Sequence, residues 1–181
     1  MKFSKVVIPL LCVFIISIGL NFAQFISRRI EFRQASERFM VQINNDIWDA
    51  NTHLDNIITG TSGTYYQSPE LLQALSLQLN AIHSLISSND YLFDVYWGFQ
   101  PDFRETGRFL YSGGIMNGLM FPGILSDGVV SENELMFLKA LEEILAQLKY
   151  NACLDIRLFN QRLDNLKTEW EALPFHLLAS G

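Results

Sequence analysis

The chain has 181 residues, of which 49% are apolar and 18% are charged, and this size allows one domain beside a membrane segment. Residues 1–33 carry five basic side chains and one acidic one, whereas the remainder carries 8 basic and 18 acidic side chains. The acidic main part would repel a phosphate backbone, which argues against nucleic acid as a partner.

The N-terminal region predicts a membrane anchor. After a short tail of residues 1–5, residues 6–26 form an uncharged apolar run. About 21 residues in a helix match the roughly 30 Å thickness of a bilayer core. A cleavable signal peptide is the alternative, but Asn21 precedes Ala23 by two positions and fits a small-residue cleavage site poorly. We therefore expect a transmembrane helix that contacts the lipid bilayer through residues 6–26.

The basic residues around this run bear on its orientation. The arginines that follow it, Arg28, Arg29 and Arg33, predict contact with lipid headgroups. Counted alone, the downstream arginines would place the C-terminal side inside the cell. The short N-terminal tail, however, carries two lysines and a terminal amine and is hard to translocate. We expect a single-pass protein of the cell membrane with its main domain outside the cytoplasm.

Two helices are predicted after the anchor. The first has a seam of apolar residues with alternating steps of three and four: Met40, Ile43, Ile47, Ala50, Leu54 and Ile57. Nothing breaks the helix between this seam and the membrane run, so one helix of about 50 residues is expected to leave the bilayer. A second helix begins near Ser68 and carries its own seam: Leu72, Leu75, Leu79, Ile82 and Ile86.

The middle of the chain predicts a short antiparallel strand pair. Tyr91 to Phe99 is rich in aromatic residues that favour strands, and Arg108 to Ser112 forms a second short candidate. Residues 100–107 supply a polar turn between them. The apolar but irregular stretch from Gly114 to Asp127 is either a third strand or a loop.

A long C-terminal helix is predicted next. Ser131 and Glu134 have the spacing of a capping box, and apolar residues then recur on one side as far as Trp170. This helix is either continuous, at about 60 Å, or broken near Asn151. The predicted fold class is α+β and mostly α, with a sensor-like unit over residues 27–130 and the long helix with its tail over residues 131–181.

The sequence contains no convincing catalytic or metal-binding pattern. The three histidines, at positions 53, 83 and 176, are too far apart for a zinc motif. Glu142 and Glu143 are adjacent and therefore diverge on a helix. The glycines that follow Ser112 lack the lysine and hydroxyl residue of a phosphate loop. We expect no enzyme activity, no cofactor and no bound metal.

The aromatic stretch nevertheless suggests a small-molecule site. Aromatic faces with nearby arginines are suited to an anionic or amine-bearing ligand. The candidate ligand-binding residues are Tyr96, Trp97, Arg108 and Tyr111. The alternative is that these aromatic side chains belong to the core of a small sheet.

Part of this region resembles the Cache domains, which are PAS-like extracytoplasmic sensors. The order of helices matches over about residues 30–114, and two short motifs are similar: Val95, Tyr96, Gly98 and Phe99, then Gly107, Arg108 and Phe109. The resemblance implies a sensor-like module that binds a ligand or a partner. The Asp-x-Arg-x-Arg-x-Trp-Tyr stretch of many such domains is missing after Gly114, so the resemblance transfers no ligand-binding residue.

Two functional hypotheses follow. The first is an anchored extracytoplasmic module, sensor-like or ligand- and partner-binding, without an output domain of its own. The second is a helical scaffold or adaptor subunit of a membrane protein complex, because heptad-like seams can bury against other chains. Both imply a membrane protein partner, or self-association through the helical seams.

Overall fold

A computed structural model describes residues 4–61, 69–89, 101–116, 119–124, 130–149 and 155–175. The predicted strand from Tyr91 to Phe99 lies outside these residues. The described chain is mostly helical and runs through eight elements: α1 (Ser4–Thr61), α2 (Pro69–Ser88), α3 (Phe103–Ser112), β1 (Gly114–Met116), β2 (Leu119–Phe121), α4 (Glu132–Leu148), α5 (Ile156–Asn165) and α6 (Lys167–Glu171).

Helix α1 joins the apolar run to the body without interruption, as predicted. Its 58 residues correspond to a length of about 87 Å. By length and composition, α1 is the one helix among the described residues that is apolar enough to cross a membrane. None of its apolar segment is buried against the rest of the protein.

The body is built on the helical seams. Every residue of the predicted α1 seam is at most 5% exposed, and every residue of the predicted α2 seam is at most 3% exposed. Helix α4 adds Phe137, Leu138, Leu141, Ile144, Leu145 and Leu148 to the same core. The predicted seams are therefore confirmed, and they bury against one another within this chain.

The predicted strand from Arg108 to Ser112 is wrong, because these residues belong to helix α3. The Asp102 side chain caps the helix by accepting a hydrogen bond from the Glu105 backbone N–H at 3.0 Å. The buried positions Phe103, Thr106, Gly107 and Leu110 follow helical spacing. A helix places these side chains on α2, whereas a strand would have turned alternate ones toward solvent.

The structure has a short hairpin immediately after α3, in the stretch that the sequence left open. Strands β1 and β2 are antiparallel, with Gly114 opposite Phe121, Ile115 opposite Met120 and Met116 opposite Leu119. Gly113 enters the hairpin with a φ of 67°, a conformation that favours glycine. The Ile124 backbone N–H then donates to the Leu110 carbonyl at 3.0 Å and ties the hairpin back to α3.

Of the two alternatives for the long C-terminal helix, the continuous one is wrong and the broken one agrees with the structure. The capping box of Ser131 and Glu134 is confirmed, but α4 ends at Leu148 and Lys149 is extended. A new helix begins after Asp155, whose side chain accepts from the Arg157 backbone N–H at 2.8 Å. Asn151, where the alternative placed a break, lies between these two ends and outside the described residues.

Polar and aromatic contacts fold the C-terminal helices back onto the body. Arg162 Nη1 donates to the Gln147 and Lys149 carbonyls at 3.3 and 3.4 Å, and so satisfies the C-terminal end of α4. The Trp170 ring packs edge-on against Phe103 with a centroid distance of 5.0 Å. Helices α5 and α6 are thereby held in the same body as α3.

Candidate functional site

The predicted ligand-binding residues are only partly placed. Tyr96 and Trp97 lie outside the described residues, and Arg108 and Tyr111 lie on α3. The Arg108 guanidinium pairs with Glu105 at 2.6 Å and lies 5.3 Å from the Phe109 ring centroid. Tyr111 is 45% exposed. The described half of this site is an open helix surface, and the ligand site as a whole stays a prediction.

Two partly buried carboxylates of the body, Asp46 and Glu142, lie at contacts between helices. Asp46 on α1 accepts a hydrogen bond from Gln78 on α2 at 2.9 Å. Burial raises the pKa of Asp46, the Gln78 hydrogen bond opposes that change, and nearby Asp49 adds to it. Burial also raises the pKa of Glu142 on α4, with repulsion from Asp55 across the α1–α4 contact. These groups line helix contacts and do not converge on a cleft.

The described histidines do not form a catalytic or metal-binding group. His53 and His83 are partly buried beside the seams of different helices. His53 Nδ1 is enclosed and has no hydrogen-bond partner. Among the described residues, no group of three or more His, Cys, Asp or Glu side chains is arranged to hold a metal ion. His176 lies outside the described residues.

A concave groove lies along α1 where the apolar run meets the body. It is an open cavity of about 830 Å³ between one face of α1 and the first residues of α5. We call it the juxtamembrane groove, and its lining residues are Phe22, Phe25, Ile26, Arg29, Ile30, Phe32, Arg33, Ser36, Glu37, Asp155 and Ile156.

The groove continues the buried seam of α1. The steps from Phe22 through Ile26, Arg29 and Arg33 to Ser36 are of three or four residues, and Ser36 leads on to Met40 in the core. These residues therefore share one face of the helix. The groove is the part of that face which the body does not cover.

Helix α5 closes the body end of the groove. The Phe159 ring packs edge-on against Phe39 of α1 with a centroid distance of 6.0 Å. This contact holds the start of α5, which is the capping residue Asp155 and the first helical residue Ile156, against α1. Because α5 begins at this level, the preceding turns of α1 have no protein neighbour in the described chain on this face.

The charges of the groove are arranged by level along α1. Phe22, Phe25 and Ile26 form an uncharged upper part. The arginines at positions 29 and 33 come next, and the carboxylates of Glu37 and Asp155 lie at the body end. The Arg33 guanidinium and the Glu37 carboxylate are paired at 2.8 Å, so these two charges already compensate each other.

Arg29 is the unpaired cation of this surface. Among the residues that the structure describes, Arg28 and Arg29 have no ion-pair or hydrogen-bond partner. Arg29 lines the groove, whereas its neighbour Arg28 does not. The Asp155 carboxylate uses one oxygen to cap α5 and leaves the other available. From the apolar section toward the body, the groove thus has first the unpaired Arg29 guanidinium and then the available Asp155 carboxylate oxygen.

Sequence reasoning found the basic cluster but missed the groove. The apolar and arginine residues that line it repeat with the same period as the buried seam, and this signal was readable. The contribution of Asp155 and Ile156 had no local signal, because they come from the far end of the chain.

Searches against protein-family models, curated proteins and solved structures find no match for this chain.

Proposed function

We propose that the chain is a membrane-anchored helical module that holds its body outside the cytoplasm and acts by binding a partner in a membrane assembly. The observation that carries this proposal is the continuity of α1, whose two halves belong to a membrane span and to the core of the body. A continuous helix of this kind would hold the body at a fixed distance from the bilayer.

The geometry of α1 supports a body held close to the bilayer. Among the α1 residues from position 9 onward, whose exposure is described, Ser36 is the first buried one, and it follows Ile26 by ten positions. At 1.5 Å per residue, the core of the body begins about 15 Å from the end of the apolar run. A continuous helix has no hinge at this distance, so the body and the span would move together.

The helical hypothesis is better supported than the sensor-like one. The sensor-like hypothesis was motivated by a strand pair, and its second strand is helix α3. A ligand-binding role for Tyr96, Trp97, Arg108 and Tyr111 remains the second candidate, supported by the exposed position of the last two residues on one helix.

The partner surface that we favour is the hairpin. The helical seams are buried within this chain, so they are occupied already. Ile115 and Met120 are opposite each other in the hairpin and are 64% and 74% exposed. These two neighbouring side chains give the hairpin an exposed apolar edge, and we propose this edge as the contact surface.

Sidedness is tested by cysteine labelling of the full chain in intact cells. Both native cysteines are replaced (Cys12→Ser, Cys153→Ser), and Glu143→Cys introduces one exposed thiol on α4. A membrane-impermeant maleimide should label this thiol without lysis. Labelling only after lysis would place the body in the cytoplasm and overturn that part of the proposal.

The partner is tested by photo-crosslinking in the same cells. A photoreactive residue at Met120 should give a discrete protein adduct, and one at the exposed Lys139 position should not. Equal or absent adducts at both positions would remove the hairpin as the contact surface. An adduct with the mass of a second copy would identify the partner as self.

A further inference from the structure

We propose that the juxtamembrane groove binds a phospholipid with an amine-bearing headgroup, taken from the membrane in which α1 is anchored. This inference rests on the anchoring proposed above. It is carried by the order of chemical groups along the groove, which matches the order of groups in such a lipid.

The upper part of the groove suits an acyl chain. Phe22, Phe25 and Ile26 are 63%, 61% and 42% exposed, respectively. They belong to the last two turns of the apolar run, where the hydrocarbon of the bilayer would end. An acyl chain covering these side chains would bury apolar surface that no described part of the protein covers.

Arg29 lies at the level expected for a phosphate. It follows Ile26 by three residues, about 4.5 Å along the helix axis. Its guanidinium has no partner among the described residues. Guanidinium groups bind phosphate oxygens through paired, charge-assisted hydrogen bonds. The phosphodiester of a lipid whose chain lies against Ile26 would meet this side chain.

The carboxylates of the groove indicate which chemical group lies beyond the phosphate in the bound headgroup. Glu37 and Asp155 at the body end balance the charges of Arg29 and Arg33, so the groove as a whole is neutral. A neutral groove with separated charges is complementary to a zwitterionic headgroup rather than to one with excess negative charge. Asp155 presents a carboxylate oxygen beyond its capping bond. An ammonium group can donate hydrogen bonds to that oxygen, whereas a trimethylated choline cannot.

The test uses the full chain, purified in mild detergent and examined by native mass spectrometry. Phosphatidylethanolamine, phosphatidylglycerol and phosphatidylcholine are added as separate probes. We expect phosphatidylethanolamine to be retained most strongly. Arg29→Gln should weaken that retention about tenfold, because one charge-assisted interaction is lost.

Two matched variants separate the groove from general electrostatics. Arg28→Gln removes the same charge one residue away from the groove and should weaken retention much less than Arg29→Gln does. Asp155→Asn keeps a good helix cap and should abolish the preference for ethanolamine over choline. Equal losses in Arg28→Gln and Arg29→Gln, or a stronger retention of phosphatidylglycerol, would overturn the proposal.

A second measurement addresses other occupants of the groove. A photoreactive residue at Phe25 should give lipid adducts in native membranes. A protein adduct at this position would show that a partner helix fills the groove and would overturn the proposal. Resistance to carbonate extraction reports on the anchor separately, and the groove variants should all remain resistant. If carbonate extracts the unaltered chain from the membrane, the membrane anchor of the proposed function is contradicted instead.

Discussion

The two halves of helix α1 share one backbone conformation but have different surroundings. Between Leu10 and Ile26 the large apolar side chains are 42–67% exposed and lie on all sides of the helix. Beyond Ser36 the buried apolar residues form one stripe that is nearly inaccessible, and two further large apolar side chains, Val41 and Trp48, are 48% and 49% exposed. An apolar surface all round is typical of a helix solvated by lipid, whereas a stripe is typical of a helix solvated by water on its other faces. Both halves form the same helix, so helix formation by itself does not reveal which of the two environments surrounds a segment.

The largest expected effect comes from placing charges in each half. Ile15→Asp together with Ile18→Asp should release the protein from membranes, because each charge costs about 2.5–3.5 kcal/mol on insertion. The body should remain folded. Ile47→Asp, at a position that is 0% exposed, should do the reverse and unfold the body while the chain stays in the membrane.

Membrane fractionation measures whether each variant stays in the membrane, and circular dichroism measures whether its body stays folded. Loss of the folded body in the Ile15→Asp, Ile18→Asp variant would show that the apolar half contributes to the core.

Truncating one leucine in each half should also separate them. Leu54 is 0% exposed, and Leu54→Ala should lower the free energy of unfolding by about 2–5 kcal/mol through loss of burial and creation of a cavity. Leu20 is 61% exposed, and Leu20→Ala should leave the stability of the body unchanged because lipid can fill the space. Denaturant titration in detergent, followed by tryptophan fluorescence, measures both. A comparable loss in Leu20→Ala would reveal an unseen protein neighbour.

Adding a methyl group to a glycine of the body and to a glycine of the apolar half of α1 tests the same difference in packing. A Cβ at Gly107 of α3 would lie 2.9 Å from the Ser76 carbonyl oxygen of α2, so Gly107→Ala should destabilise the body by about 1–3 kcal/mol. A Cβ at Gly19 meets nothing within 4 Å. Gly19→Ala should therefore be neutral or slightly favourable to the helix. The thermal unfolding midpoint is the measurement, and a neutral Gly107→Ala would mean that α2 and α3 are less closely packed.

The smallest effect concerns charge at the α1–α4 contact. Burial, then repulsion from Asp55 and Glu143, raises the pKa of Glu142 above its ordinary value of 4.5, with Lys139 opposing. The folded state therefore binds the proton more tightly, and stability falls as pH rises from 4.5 through the folded pKa. Glu142→Gln should gain less than about 0.5 kcal/mol at neutral pH, since the group is largely solvated. Unfolding measured below pH 4.5 should show no gain, and a loss at neutral pH would contradict the assignment.

Much of the fold was predictable because it depends on local periodicity. The seams of α1 and α2 and the capping box of Ser131 and Glu134 involve residues within a few positions of each other. Part of α3 was wrongly predicted as a strand because its aromatic content favours strands, although Phe103, Thr106 and Leu110 have helical spacing. Packing on α2 through Gly107 decided the outcome, and no local propensity expresses that contact.

The candidate site was likewise only partly predictable from the sequence. The sequence by itself determined an apolar run of bilayer length, the arginines after it and a helix that continues into the body, because these follow from composition and period. Only the tertiary structure decided that the C-terminal segment ends α4 at Leu148 and begins again at Asp155 beside α1. The physical reason is that a groove needs two walls, and here the second wall comes from residues remote in the chain. Tertiary contacts such as the packing of Phe159 on Phe39 bring those residues into place.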